Sequence, residues 1–191
     1  MLKNARPKKG VEMESGTLDR EQLRSILIKN WMTHDALWYG EVASKFGMSE
    51  ASPMNLRVCR TLGRIEYGRL MKMAETGAPR DFREYHELFE LGKQVFFPDF
   101  MDIEIEYPGG DSQVFHVLDC FAYKGMEKAG LLADYDCGIF ERIEGWFDAM
   151  GVDYRRNPAP GRCLKFRGKE CIITVNFNFK KDSGKREDGH V

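Results

Sequence analysis

Between Leu18 and Phe46 the apolar residues Leu23, Ile26, Leu27, Trp31, Leu37, Trp38, Val42 and Phe46 recur at helical spacing, and Gly47 stands where a helix would end. A second helix is predicted from about Glu50 to Glu75, with Pro53 in its first turn and Gly77 and Pro79 beyond its end. Asp81 is placed to cap a third, Phe82 to about Gln94. The period then changes to two. Met101, Ile103, Ile105 and Tyr107 alternate with Asp102, Glu104 and Glu106, the pattern of a half-buried strand with an acidic outer face. A turn at Pro108-Gly109-Gly110-Asp111 leads to a second strand, Gln113 to Leu118. Two helices follow, Phe121 to Ala129 and Gly138 to Met150, then a short strand near Val152 to Arg155. A final hairpin is expected to pair Arg162 to Phe166 with Cys171 to Phe179 around Gly168. The prediction is an α+β fold: three helices over residues 18–95 packed with a largely antiparallel sheet half, 96–179, of β-β-α-α-β-β-β order. Residues 1–17 and 180–191, charged and poor in apolar side chains, read as flexible tails flanking a single domain, 18–179.

Composition narrows the function classes. A length of 191 residues suits one core. A net charge of -1 supplies no basic field to collect phosphates, which argues against a nucleic-acid partner. No run approaches the ~20 apolar residues of a membrane span, and no secretory leader is evident, so a cytoplasmic protein without a membrane partner is expected. Five cysteines in such a chain point to reduced thiols that serve as ligands, nucleophiles or small core residues.

The dipeptides Asp119-Cys120 and Asp136-Cys137 each precede a predicted helix. If each Asp is the cap, its Cys enters the first turn, where free N–H groups and the helix dipole favour the thiolate. The plainer reading is two half-buried cysteines that happen to follow caps. On the first helix Asn30, His34 and Glu41 share a face that overlaps the apolar stripe of Leu23, Leu27 and Leu37, so they either satisfy one another or line a cavity walled by Trp31 and Trp38. Arg57, Arg60 and Arg64 form a stripe that could hold a carboxylate, or a solvated face answered by Glu50 or Glu66. Cys163 and Cys171 fall on one sheet face only if the last turn has three residues. No C-x-x-C pair is present, and His86, His116 and His190 are scattered, so a structural zinc site is weakly signalled. Phosphate-loop, dinucleotide, nucleophile-elbow and zincin motifs are absent from the sequence.

The segments Asn30-Trp-Met-Thr-His-Asp-Ala-Leu-Trp-Tyr-Gly, Asp119-Cys-Phe-Ala-Tyr-Lys-Gly-Met and Asp136-Cys-Gly-Ile-Phe-Glu-Arg-Ile-Glu-Gly-Trp-Phe resemble an uncharacterised prokaryotic family that looks related to L-2-amino-thiazoline-4-carboxylate hydrolases. Cys163-Leu-Lys-Phe-Arg-Gly-Lys-Glu-Cys171 is similar to the end of the 4-vinyl reductase type of small-molecule-binding domain. The first resemblance spans about Asp19 to Phe179 and implies opening of a small carboxylate-bearing ring. It directs attention to Cys120 and Cys137.

Two functions follow as expectations. In one, the protein hydrolyses a carbon–nitrogen or carbon–sulfur bond: Cys120 is nucleophile or metal ligand, Cys137 its partner, and His34 the general base or a third ligand of one divalent ion. Trp31, Trp38, Tyr123, Arg57, Arg60 and Glu41 would then hold the substrate. In the other, it is a non-catalytic sensor binding an aromatic or carboxylate-bearing metabolite between Trp31, Trp38 and Tyr123. The long helices also offer a face for a homodimer.

Overall fold

The computed structural model describes residues 17–179, so the expected tails lie outside the described residues apart from Thr17. Five helices and a four-stranded sheet follow in the order α1 (Arg20–Phe46), α2 (Met48–Met73), α3 (Phe82–Phe96), β1 (Asp102–Gly109), β2 (Ser112–Asp119), α4 (Phe121–Lys128), α5 (Gly138–Met150), β3 (Asp153–Asn157) and β4 (Ile172–Asn178). A single turn of 3₁₀-helix, Leu132–Asp134, lies between α4 and α5.

The helix ends follow local chemistry. Asp19 accepts from the Gln22 amide at 2.8 Å while the Gln22 side chain returns a bond to the Asp19 amide at 3.1 Å, a reciprocal cap that starts α1. Gly47 alone separates α1 from α2. Its φ of 81° lies in the region open to glycine, which lets the chain reverse in one residue. Because α2 begins two residues earlier than expected, Pro53 sits beyond the first turn, inside the helix. Asp81 caps α3 as predicted.

The sheet is antiparallel throughout, in the order β1-β2-β4-β3. The alternation seen in β1 repeats in β2, where Gln113, Phe115 and Val117 face inward, and in β4, where Ile173, Val175 and Phe177 do. These side chains meet Phe140, Ile143, Trp146, Phe147 and Met150 of α5, together with Tyr85, Leu88 and Phe89 of α3. The expected last hairpin is not formed. Residues 163–168 make a tight turn, with the Arg167 amide bonded to the carbonyls of Cys163 and Leu164, and only Arg162 bridges to Asp136. Consecutive Cys163 and Leu164 both pack inward while Phe166 is exposed, a pattern that a period-two strand cannot provide. The order is therefore β-β-α-α-β-β, and β4 fills the sheet centre between β2 and β3.

Helices α2 and α5 cross at glycine. A Cβ at Gly63 would fall 2.1 Å from the Arg142 carbonyl oxygen, and one at Gly145 2.3 Å from that of Arg60. This close approach brings α5 side chains against α2 and forms the floor of the site described next.

Candidate functional site

Apolar residues are spread around helix α1, interspersed with polar ones, and its buried face is not the expected one. Leu23, Leu27 and Leu37 are about half exposed or more, and Asn30, His34 and Glu41 share their outward side. Trp31, Asp35, Tyr39 and Ala43, spaced by four, turn inward instead. Along this face, α1, α2, α4 and the start of α5 enclose a cavity of about 450 Å³.

Its walls are mainly hydrocarbon and aromatic. Trp31 and Met32 come from α1, Val58 and Leu62 from α2, Phe121 and Met126 from α4, and Ile139 from α5, with Phe100 closing one side. Polar groups are few: Thr33, Asp35, Asn55, Cys59, Arg142, Tyr39 and Tyr135, and Lys29, whose ammonium rests 5.6 Å from the Phe100 ring centre. Several already have partners within the protein. Arg142 donates two bonds to Glu66, at 2.8 and 2.6 Å, and its guanidinium lies 4.8 Å from the Trp31 ring and 5.4 Å from that of Trp146. Trp146 donates to the same carboxylate at 2.9 Å. The Tyr135 hydroxyl accepts from the Gly138 amide at 3.2 Å.

Asp35 differs. Among the described residues no hydrogen bond reaches its carboxylate. Burial raises its pKa above the ordinary carboxylate value, and the nearby charges of Arg142 and His34 only partly oppose this. Beside it, burial first and the Asp35 charge second push the Cys59 thiol up to about 12.

The expected catalytic set is only partly brought together. Cys120 and Cys137 line a second, smaller cavity of about 70 Å³ with Cys163, Cys171 and Tyr123, so four of the five thiols converge. The caps of α4 and α5 are these cysteines themselves, not the aspartates. Cys120 Sγ accepts weakly from the Tyr123 amide at 3.5 Å, whereas the Asp119 carboxylate pairs with Lys124. Helix-start N–H groups do favour the thiolate here, but burial outweighs them: it raises the Cys120 pKa and pushes Cys137 to about 12. Cys171, half-buried, rises to about 11 by desolvation. His34 is exposed on α1 and lines neither cavity. Among the described residues, no group of three or more His, Cys, Asp or Glu side chains is arranged to hold a metal ion.

Of the residues expected to hold a substrate, Trp31 lines the large cavity and Tyr123 the small one, where its hydroxyl donates to Glu127 at 3.0 Å. Trp38, Arg57 and Glu41 are exposed and line neither. Arg60 is occupied by α5: it bonds to both Asp148 oxygens at 2.7 Å, to the Tyr154 hydroxyl at 2.9 Å and to Glu144. Arg64 reaches Asp148 at 2.8 Å, so two of the three arginines of the stripe, Arg60 and Arg64, are answered by α5 rather than by Glu50 or Glu66. Glu144, nearly fully buried, is held from its other side by Arg156 at 2.8 Å.

Residues 16–170 match the model of a family of unknown function, DUF6125. The chain belongs to that family. No curated protein and no solved structure matches it. No helix among the described residues is long and apolar enough to cross a membrane.

Proposed function

We propose that the protein is a small-molecule-binding domain whose ligand occupies the cavity between α1, α2, α4 and α5. The observation that carries this reading is a carboxylate, Asp35, facing a mainly apolar cavity with no hydrogen-bond donor from the described residues. Half-buried and without a protein donor, this carboxylate leaves its bonds to solvent or to a ligand entering the cavity, the arrangement of a polar group that orients a ligand in a mainly apolar pocket. The ligand that fits has an apolar, preferably aromatic, body and one amine or other hydrogen-bond donor directed at Asp35. Arg142 is a poor anchor for a ligand carboxylate because Glu66 already takes two of its bonds.

The experiment is a thermal-shift comparison of arylalkylamines with neutral analogues of the same size. The amines are expected to stabilise the wild type, by about 2.7 kcal/mol at a ligand concentration ~100 times Kd. Asp35→Asn should erase their advantage over the neutral analogues. Equal stabilisation of both proteins by both ligand series would remove Asp35 from the reading.

Ring-opening hydrolysis remains the second reading, favoured by the convergence of four thiols. It requires turnover of such a ring that is lost on Cys120→Ser. A metal-dependent version also requires near-stoichiometric metal that falls in that variant. Burial works against a resting thiolate at either Asp-Cys position, so binding is the reading the geometry favours.

A further inference from the structure

The outward face of α1 is unusual for a surface. Leu23, Ile26, Leu27, Leu37 and Trp38 lie within about a third of the helix circumference, at 46, 48, 66, 65 and 63% exposure. On α2, Met54, Val58 and Ile65 recur at intervals of four and seven, again one face, and each is at least two-fifths exposed. The two stripes adjoin, because Leu37 and Val58 both line the large cavity while staying more than half exposed. Together the eight side chains offer on the order of 700 Å² of apolar surface. On α1 the stripe is interrupted by Asn30, His34 and Glu41, and the total approaches the ~800 Å² each partner buries in a standard interface.

We propose that this face is covered by a second copy of the chain, the two α1 helices packing antiparallel about a two-fold axis near Met32. The central part of the stripe, Ile26 to Trp38, is self-complementary under that operation. Leu27 meets Leu37 of the second copy, Ile26 meets Trp38, and Asn30 meets His34, each pair occurring twice, while Glu41 falls opposite Leu23 at the two outer ends, where its carboxylate can turn to solvent. An amide and an imidazole facing one another can hydrogen-bond across the interface, so these two polar interruptions fall where a partner satisfies them. Displacing the register by one turn would set either His34 against Ile26 or Asn30 against Trp38, which favours this pairing. The Trp38 rings, large and flat, serve as anchors at both ends. Because Leu37 and Val58 form the cavity rim, the second copy also roofs part of the opening. The dimer does not depend on the ligand reading, since it is measured on the ligand-free chain.

Sedimentation velocity on the full chain tests it. The expected mass is about twice the 22.1 kDa of one chain. Leu27→Lys combined with Leu37→Lys, and separately Leu27→Glu combined with Leu37→Glu, should each sediment as monomers with unchanged far-UV circular dichroism, these positions being exposed. Mixing the two variants should restore the dimer, because lysine then meets glutamate at every paired position. A wild type that stays monomeric at ~100 μM, a concentration that populates even a weak dimer, overturns the proposal. So does a dimer that survives either double substitution, while failure of the mixture to associate overturns the antiparallel pairing.

Discussion

Gly63→Ala is the sharpest test of how the helices position the site. The added methyl carbon would lie 2.1 Å from the Arg142 carbonyl oxygen and 3.1 Å from the Gly145 Cα. Both are backbone, so no rotamer change relieves the clash, and α2 and α5 must move apart. Overpacking costs ~1–3 kcal/mol, and a clash with backbone belongs at the upper end of that range; replacing glycine by alanine in a helix returns ~1 kcal/mol. A net loss of about 2 kcal/mol is expected, equivalent to ~4–8 °C in Tm for a chain of this size. Gly68→Ala provides the control within the same helix. A Cβ there meets nothing within 4 Å, so only the propensity term acts, and Tm should rise by ~2–4 °C. Thermal unfolding followed by circular dichroism at 222 nm measures both. If Gly63→Ala is as stable as Gly68→Ala, the close crossing of α2 and α5 is wrong.

Asp35 makes a pH prediction. Burial holds its folded pKa above the unfolded value, so the folded state binds this proton more tightly, and the group's contribution to stability is present below the unfolded pKa and lost as pH rises through the folded one. Asp35→Asn should therefore raise Tm at pH 7, with the gain vanishing near pH ~3.9, the ordinary Asp value; a lower Tm at neutral pH would contradict this. The Cys137 thiol, pushed to about 12, should be alkylated by iodoacetamide at pH 8 roughly 10³-fold more slowly than a free cysteine, as read by peptide mass spectrometry, and labelling at the free-cysteine rate would refute its burial.

Much of the fold was legible in the sequence because most elements carry a clean period or a clear boundary. The alternation of Ile103, Ile105 and Tyr107 with acids, the Asp81 cap and the glycine at 47 each have one physical meaning, and each holds. The last hairpin failed because Gly168 between two apolar runs also suits a turn whose own carbonyls satisfy its amides. The site was harder to read for a different reason. On α1, apolar residues surround the helix, so periodicity alone could not choose between the face of Leu23 and Leu27 and the face of Trp31, Asp35 and Tyr39. His34 drew attention as a ligand type, but its neighbour Asp35 faces the cavity. A charged residue four positions from Trp31 and four from Tyr39 was the available signal. Arg142 and Glu66, far apart in sequence, meet only because Gly63 and Gly145 let their helices touch.

The central claim is that the large cavity receives a small molecule, and the most direct test is calorimetric titration of an arylalkylamine into the wild type and Gly40→Leu. Gly40 lines the cavity, and a Cβ added there meets nothing within 4 Å, so a leucine side chain starts from open space and takes up ligand volume. Saturable one-to-one binding to the wild type, lost or weakened at least ~10-fold in a Gly40→Leu variant of undiminished stability, is the predicted result. Equal binding by both proteins, or no binding by the wild type across the amine series, would contradict the account.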